Sequence, residues 1–367
     1  MSGGGSASAF AAVRWLWGEL DRAATTWLVG GAVRDGLLGI APGDWDLATA
    51  LEPPRVLALL RGRGWPLDTR GARFGRVGVH TRAGVVDVVT FRAEGDYADQ
   101  RHPGRVRWVR RGEVDLRRRD FTVNALALTR QGRVVDVVGG RRDLEARRLA
   151  TVGPAAERIR EDPLRAWRAV RFLAYAPGDW NWDPALAAAV AAAAEAARAV
   201  APSRVGRELA ALMDRPYPSR ALRAAGAAGL LPPWPPERRL CRLPDAALRW
   251  AAVEAVWGWP GLVTRIGLPR AVVREVARLR GALAGDARSP ALPERVACLA
   301  EWLGQPPPVP LPITGRDVME RLGIPPGPAV GAALRRARAW VAAQPRPPDR
   351  EAVLAYLART GAEPLDE

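Results

Sequence analysis

The sequence predicts an α+β protein: a small mixed sheet with helices over residues 1–150, followed by an all-α stretch to residue 367. Three observations predict this. Strand-like runs such as WLVGG, RVGVHT, GVVDVVTFR and VVDVVGG all fall before residue 150. After it, apolar residues recur at helical spacing in long, Ala-rich segments. The Pro-rich run PPWPPERRLCRLP then marks a boundary. The expected division is a head at 1–150, a helical neck and body at 151–235, and a further helical body and tail at 236–367.

In chain order, residues 9–22 form an amphipathic pattern, and WLVGG (27–31) a buried strand ending in a Gly-Gly turn. AVRDGLLG (32–39) is a helix closed by Gly39, and DWDLAT the next strand. EPPRVLALLRGRG (52–64) has Pro near its start, a position where the missing N–H costs nothing. RVGVHT (76–81) and GVVDVVTFR (84–92) are a hairpin, followed by a polar, Arg-rich loop, GDYADQRHPGRVRWVRRGEVDL. VVDVVGG (134–140) belongs to a further hairpin. Helices are predicted at 161–174, 184–200, 203–214 and 218–231, and through 245–367 apart from breaks at 304–315 and 343–349.

Charge narrows the partners. With 55 basic against 39 acidic residues the net charge is +16, which favours a polyanion such as nucleic acid or an acidic membrane surface. Every basic residue is Arg, beside much Ala, Gly, Pro and Trp, so the choice of Arg over Lys is compositional. Cys241 and Cys298 lack metal-ligand spacing and argue against a disulfide framework. MSGGGSASAF has no basic n-region or signal-like core, and the Ala-rich run is shorter than the roughly 20 apolar residues of a spanning helix. A cytoplasmic protein with no membrane partner is expected; oligomeric state is not legible.

Two motifs carry chemistry. In GDWDLAT, strand alternation places Asp44 and Asp46 on one face and turns Trp45 to the other, into a core. Two carboxylates at one strand end can hold divalent metal, although an isolated D-x-D is more often a solvated edge. Ahead of it, LVGGAVRDGLLG combines a Gly30–Gly31 turn, a helix start that favours anions, and Arg34 one turn on to clamp a phosphate. Together they suit a triphosphate on the turn and Mg²⁺ on the carboxylates, since magnesium is usually shared between carboxylates and substrate phosphates. Two such ions would activate an attacking hydroxyl and support leaving pyrophosphate.

GGAVRD followed by GDWDLAT resembles the polymerase-beta-type nucleotidyltransferases, in the class II branch that holds bacterial tRNA CCA-adding enzymes and poly(A) polymerases. RRRDFTVNALAL (117–128), VVDVVGGRRDLEARRLATVG (134–153) and EDPLRAWRAVRF (161–172) match its further signatures in order. LPITGRDVMERLGIPPGPAVGAAL (311–334) resembles the tail of the Bacillus-type CCA-adding enzymes. The resemblance implies a polymerase-beta-type head, ATP and CTP as substrates, and the 3′ end and acceptor arm of tRNA as partner. It places Arg119 against the incoming nucleotide, with Asp120 and Asn124 as candidates for ribose or supporting contacts. Asp120 is equally explained as a helix cap.

In EDPLRAWRAVRF, Asp162 and Arg165 are three apart and so neighbours on a helix face, with Arg168 and Arg171 continuing the line. Leu164, Trp167, Val170 and Leu173 wind separately and are expected to bury. A solvated charged face would explain the pair. It could instead read a base: ionised Asp only accepts and Arg only donates, matching the amine and ring acceptor shared by cytosine and adenine. Guanine and uracil would then face like with like, a mismatch worth roughly 10⁴-fold in comparable pockets. The resemblance assigns this role to the same pair, and gives Arg168 and Arg171 to the nucleotide; Glu161 is read as supporting the helix start.

Three positions depart from the family: Arg76 stands where a small hydroxyl residue is usual, Trp45 replaces a smaller aliphatic, and Trp167 a common Leu. Asp87 alternates onto one face with Val85 and Val89 and reads as a third carboxylate or an ordinary half-buried polar residue. The expectation is template-independent addition of C, C and A to tRNA, with Asp44 and Asp46 on the metals. Gly31, Arg34, Arg119, Asp162, Arg165, Arg168 and Arg171 would sit on the nucleotide. An A-adding enzyme is the nearest rival and a non-catalytic tRNA-binding protein the rival of another class.

Overall fold

The computed structural model describes residues 3–81, 84–93, 97–99, 102–103, 107–175, 177–284, 293–304, 311–342, 344 and 348–360. The expected Arg-rich loop and the two Pro-rich breaks near 304–315 and 343–349 lie partly outside these residues. The chain forms two compact units. One comprises residues 1–169, 176–199 and 227–230, the other 170–175, 200–226 and 231–367.

The first unit is built on a seven-stranded sheet. Its leading elements are α1 (Gly3–Ala23), β1 (Thr26–Val29), α2 (Gly31–Leu37), β2 (Trp45–Thr49), α3 (Pro53–Gly62), β3 (Leu67–Asp68), β4 (Arg76–Thr81) and β5 (Gly84–Thr90). Four short strands follow: β6 (Arg92–Ala93), β7 (Tyr97–Asp99), β8 (His102–Pro103) and β9 (Arg107–Trp108). Then come α4 (Gly112–Arg117), β10 (Leu126–Leu128), β11 (Val134–Asp136) and α5 (Gly140–Glu145). The strand order is β11-β10-β1-β2-β5-β4-β3, and β2 with β5 is its parallel pair.

The alternation read in the sequence is kept. Leu28, Leu47, Val79 and Val86 are buried between sheet and helices. α1 runs six residues further toward the N-terminus than its apolar pattern; Leu16 and Leu20 bury, and the Trp17 indole N–H donates to the Thr26 carbonyl at 2.7 Å. Residues 112–117, expected as loop, form α4. Two glycines carry indole rings. A Cβ on Gly112 would lie 2.2 Å from the Trp27 ring, and one on Gly75 2.6 Å from Trp108, so the backbone itself is the packing surface at both.

Beyond residue 147 the strands do not vanish entirely. β12 (Arg148–Leu149) pairs in parallel with β13 (Asn181–Trp182). The helix predicted at 161–174 starts three residues later, as α7 (Leu164–Tyr175), and Glu161 instead ends a separate helix, α6 (Ala155–Glu161). Pro163 is the reason: it lacks an N–H and pushes the residue before it out of the α region, and Asp162 sits at φ −145°, ψ 98°. The four apolar residues expected to bury on α7 all do: Leu164, Trp167, Val170 and Leu173 are 9% exposed or less. The run predicted at 184–200 is divided, at Ala193, into α8 (Pro184–Ala192) and α9 (Ala194–Arg198).

The second unit is helical, from α10 (Pro202–Met213) and α11 (Pro218–Ala227) through α12 (Ala246–Trp257), α13 (Leu262–Arg265), α14 (Arg270–Leu283) and α15 (Pro293–Leu303). Val205, Leu209 and Leu212 bury one stripe of α10 at helical spacing. Glu254, buried in α12, accepts from the Val263 N–H and from Arg280, both at 3.1 Å. The last three helices, α16 (Gly315–Leu322), α17 (Pro328–Ala342) and α18 (Arg350–Thr360), close a core of their own around Val318, Ala337, Val353 and Leu357. Thr314 and Asp317 start α16 with a reciprocal capping box. Among the described residues no helix is long and apolar enough to cross a membrane, and both cysteines are free thiols.

Candidate functional site

The acidic end is set by strand register. Asp46 lies on β2 opposite Val29 of β1 on one side and Asp87 of β5 on the other. Asp44 precedes the strand and is exposed; Asp46 is half-buried. Trp45 does not reach a sealed core: it is half-buried against Phe10 of α1, ring centroids 5.6 Å apart. Burial pushes the Asp46 carboxyl up to about 6, the Asp87 and Asp44 charges push the same way, and Arg119 and Arg76 pull against them. Asp87 Oδ2 accepts from the Arg76 Nε at 2.7 Å, while Asp87 Oδ1 is buried without a hydrogen-bond partner.

This donor set fits a hard divalent cation. Its ligands are carboxylate oxygens, the negative charge is incompletely offset, and one buried oxygen lacks a partner. Among the described residues no three Asp, Glu, His or Cys form a preassembled cage. A site that relies on one or two carboxylates and on substrate phosphates needs none.

The turn after β1 brings the nucleotide candidates beside the acids. Gly30 has φ +70°, and a Cβ there would stand 2.9 Å from Arg119 Nη1 and 3.8 Å from Asp46 Oδ2. Only glycine leaves that approach unstrained. Gly31 opens α2. Arg34, one turn on, donates from Nε to the buried Asp35 at 2.8 Å and from Nη1 to Asn124 Oδ1 at 2.6 Å. Arg119 donates to the Asn124 carbonyl at 3.3 Å and to Asp115 at 3.4 Å, and its Nε is buried without a partner.

Asn124 and Asp120 continue this network. Asn124 Nδ2 donates to Asp120 Oδ1 at 3.2 Å, and Arg168 of α7 donates to Asp120 Oδ2 from Nε and Nη2 at 2.8 and 2.5 Å. Arg34 is thus linked to Arg168 through two side chains. Burial alone would raise the Asp120 carboxyl, but Arg168, Asn124 and the Phe121 N–H hold it down at about 2.

Asp162 and Arg165 are arranged differently from a simple helix face. Asp162 is in the break between α6 and α7; its Oδ1 accepts the Leu164 N–H at 3.2 Å and its carbonyl accepts the Arg165 N–H at 2.9 Å. The Arg165 side chain is buried, and Nη1 donates to Glu161 Oε2 at 2.6 Å and to the Arg158 carbonyl at 2.7 Å. Glu161 Oε2 also accepts from Arg158 Nη1 at 2.6 Å, and Arg158 Nη2 holds the carbonyls of Arg118 and Arg119. Glu161 therefore does more than begin a helix: it ties two buried arginines together across the break. Arg171 falls in the second unit, where it pairs with Glu208 at 2.7 Å.

Of the sequence candidates, the structure gathers Asp46, Arg34, Arg119 and Arg168 around the Gly30–Gly31 turn and the Asn124–Asp120 link, with Asp44 at the strand mouth. Sequence reasoning passed over Arg158 and Asp115 and undervalued Glu161. For Glu161 a signal existed, because Arg158 and Arg165 stand three before and four after it.

Residues 26–150 match the Poly A polymerase head domain family. The chain is 34% identical over 357 residues to the CCA-adding enzyme of Geobacillus stearothermophilus, covering 84% of this chain and 86% of that one. A crystal structure of the Bacillus stearothermophilus CCA-adding enzyme in complex with CTP superposes with a TM-score of 0.69 at 29% identity, over 96% of this chain and 97% of that one. The Thermotoga maritima CCA-adding enzyme complexed with tRNA CCA shares the fold, with a TM-score of 0.55 at 18% identity and coverage of 95% and 94%.

Proposed function

The chain belongs to the CCA-adding enzymes, and on that premise we propose that it completes tRNA by adding C, C and A to the 3′ end from CTP and ATP. It is a metal-dependent nucleotidyltransferase. The observation that carries the reading is the 34% identity maintained across 86% of a CCA-adding enzyme. The acid pair beside a glycine turn and an arginine set supplies the matching chemistry.

Asp44 and Asp46 hold the cations, with Asp87 beside them, and Mg²⁺ is the ion proposed. Bound there, magnesium supplies the charge that activates the 3′ hydroxyl and supports departing pyrophosphate. The protein's own residues position the partners. Gly31 and Arg34 take the triphosphate: the turn permits close approach, and Asn124 and Asp35 fix the guanidinium. Arg119, between Asp46 and Asp115, faces the nucleotide, and Arg168 and Arg171 complete its pocket. Asp162 and Arg165 select the base, acceptor and donor respectively. The bonds from Nη1 to Glu161 and to the Arg158 carbonyl orient the Arg165 guanidinium.

Residues 1–150 act as the transferase head, 151–235 as neck and body with the selecting helix, and 236–367 as the arginine-rich body and tail that grip the acceptor arm by phosphates and A-form shape. The test is incubation with tRNA lacking one, two or three terminal nucleotides, Mg²⁺ and each nucleoside triphosphate singly. The expected pattern is C, C, then A. G or U entering as efficiently as C overturns the Asp–Arg selection, and failure to use CTP on tRNA lacking all three nucleotides overturns CCA addition.

A further inference from the structure

Across the head sheet, residues in register form a row on neighbouring strands: Asp46 on β2, Asp87 on β5, Gly78 on β4 and Asp68 on β3. Three of the four are acids. Asp68 is met by Arg70, which donates to both carboxylate oxygens at 2.9 and 2.8 Å. Asp87 is met by a different residue. Gly78, directly opposite, has no side chain, and Arg76 stands two residues back on the same face. It crosses diagonally to Asp87 Oδ2 at 2.7 Å. Because Asp87 Oδ1 has no hydrogen-bond partner, the Arg76 bond sets how that carboxylate is turned.

The charge balance gives Arg76 a second effect. Asp44, Asp46 and Asp87 bring three negative charges to one strand mouth, and Arg119 and Arg76 are the cations whose fields reach Asp46. Without Arg76 the free protein would present a more negative mouth. With it, much of the attraction for a cation has to come from the phosphates of the nucleotide. This inference rests on Asp44 and Asp46 being the metal pair. We infer that Arg76 is a positioning residue of that site, orienting Asp87 and offsetting its charge so that divalent cation and nucleotide bind together rather than cation alone.

The experiment measures Mn²⁺ binding to the full chain without nucleotide, reading free Mn²⁺ by electron paramagnetic resonance, and repeats it with CTP present. Arg76→Ser is expected to tighten Mn²⁺ about three- to tenfold, the range for one partly screened charge. CTP should then strengthen Mn²⁺ binding less than in wild type, because the cation depends less on the nucleotide's phosphates for its attraction, and within each protein Mn²⁺ should strengthen CTP binding by the same factor as CTP strengthens Mn²⁺. Arg76→Gln should behave like Arg76→Ser, and Arg76→Lys should restore the wild-type value. Equal Mn²⁺ affinity in wild type and Arg76→Ser, or an Arg76→Gln variant that matches wild type, overturns the inference. Asp46→Ala separates the two readings. If it leaves Mn²⁺ binding intact, the metal assignment fails; if it abolishes binding while Arg76→Ser changes nothing, only the role of Arg76 fails.

Discussion

The two ends of the candidate site are opposites in how their charges are satisfied. At the acidic end, Asp46 is held in a partly protonated range by burial and by like charges, and Asp87 keeps an unpartnered oxygen. At the basic end, each guanidinium meets a protein carboxylate: Arg34 with Asp35, Arg119 with Asp115, Arg165 with Glu161 and Arg168 with Asp120. The acids await a ligand's charge, whereas the arginines are pre-ordered by the protein. Selection by hydrogen bonding needs fixed donors, and metal loading needs unspent negative charge.

The sharpest break is Asp46→Asn. Single-turnover CMP incorporation should fall on the order of 10³-fold, comparable to removing one strong electrostatic stabiliser from a transition state. The same variant should be more stable than wild type in metal-free buffer at pH 8. A carboxyl raised to about 6 contributes stability that is present below its unfolded value near 3.8 and lost as pH rises through 6. Urea titration at pH 8 and pH 4 should show the gain only at pH 8.

Next in size, Asp162→Ala should erode discrimination of C over U by about 10²-fold while leaving CMP incorporation measurable, as expected when a site built on hydrogen bonds loses one partner. Competition between CTP and UTP on a single tRNA end reads this directly; a variant as selective as wild type removes Asp162 from base reading. Glu161→Gln should destabilise the chain by about 2 kcal/mol. It strips the carboxylate from two arginines whose side chains are 7% and 10% exposed, with the usual penalty reduced because Glu161 is itself 31% exposed. Urea unfolding checks it.

Asp120→Asn should cost less, about 1–2 kcal/mol at neutral pH, since its partner Arg168 is 38% exposed. Its pH signature is the reverse of that of Asp46. A carboxyl depressed to about 2 contributes stability that is present above its unfolded value and lost as pH falls from near 4 through 2. Asp120→Asn should flatten that acid limb. Gly30→Ala should cost about 1–3 kcal/mol of stability, because Gly30 sits at φ +70°, ψ −133° and an added Cβ would stand 2.9 Å from Arg119 Nη1. A rise in the KM for CTP should accompany it, because the new methyl meets Arg119.

Much of the head was legible because its information is local. Alternation marks the strands, and the D-x-D spacing puts Asp44 and Asp46 together at one end of β2. The pairing of Asp46 with Asp87 was not legible, since register between β2 and β5 depends on the long crossover over residues 50–83. The break at Pro163 has a sequence signal: proline inside a helical pattern ends it at the preceding residue. Missing that break made Asp162 look like a helix-face residue and hid Glu161 as the tie between Arg158 and Arg165. The Asp120–Arg168 contact joins positions 48 apart and has no sequence signature.

The indole rings of Trp27 and Trp108 rest on the bare backbone of Gly112 and Gly75. Each pairs the bulkiest residue type with the smallest, so neither can change alone: a methyl on the glycine collides, and a smaller ring leaves a void. Homologues that have exchanged the tryptophan at position 27 should carry a compensating larger residue at position 112, whereas position 75, at φ +85°, should stay glycine whatever faces it. Such reciprocal volume exchange would let a lineage drift in composition while its sheet stays the same thickness.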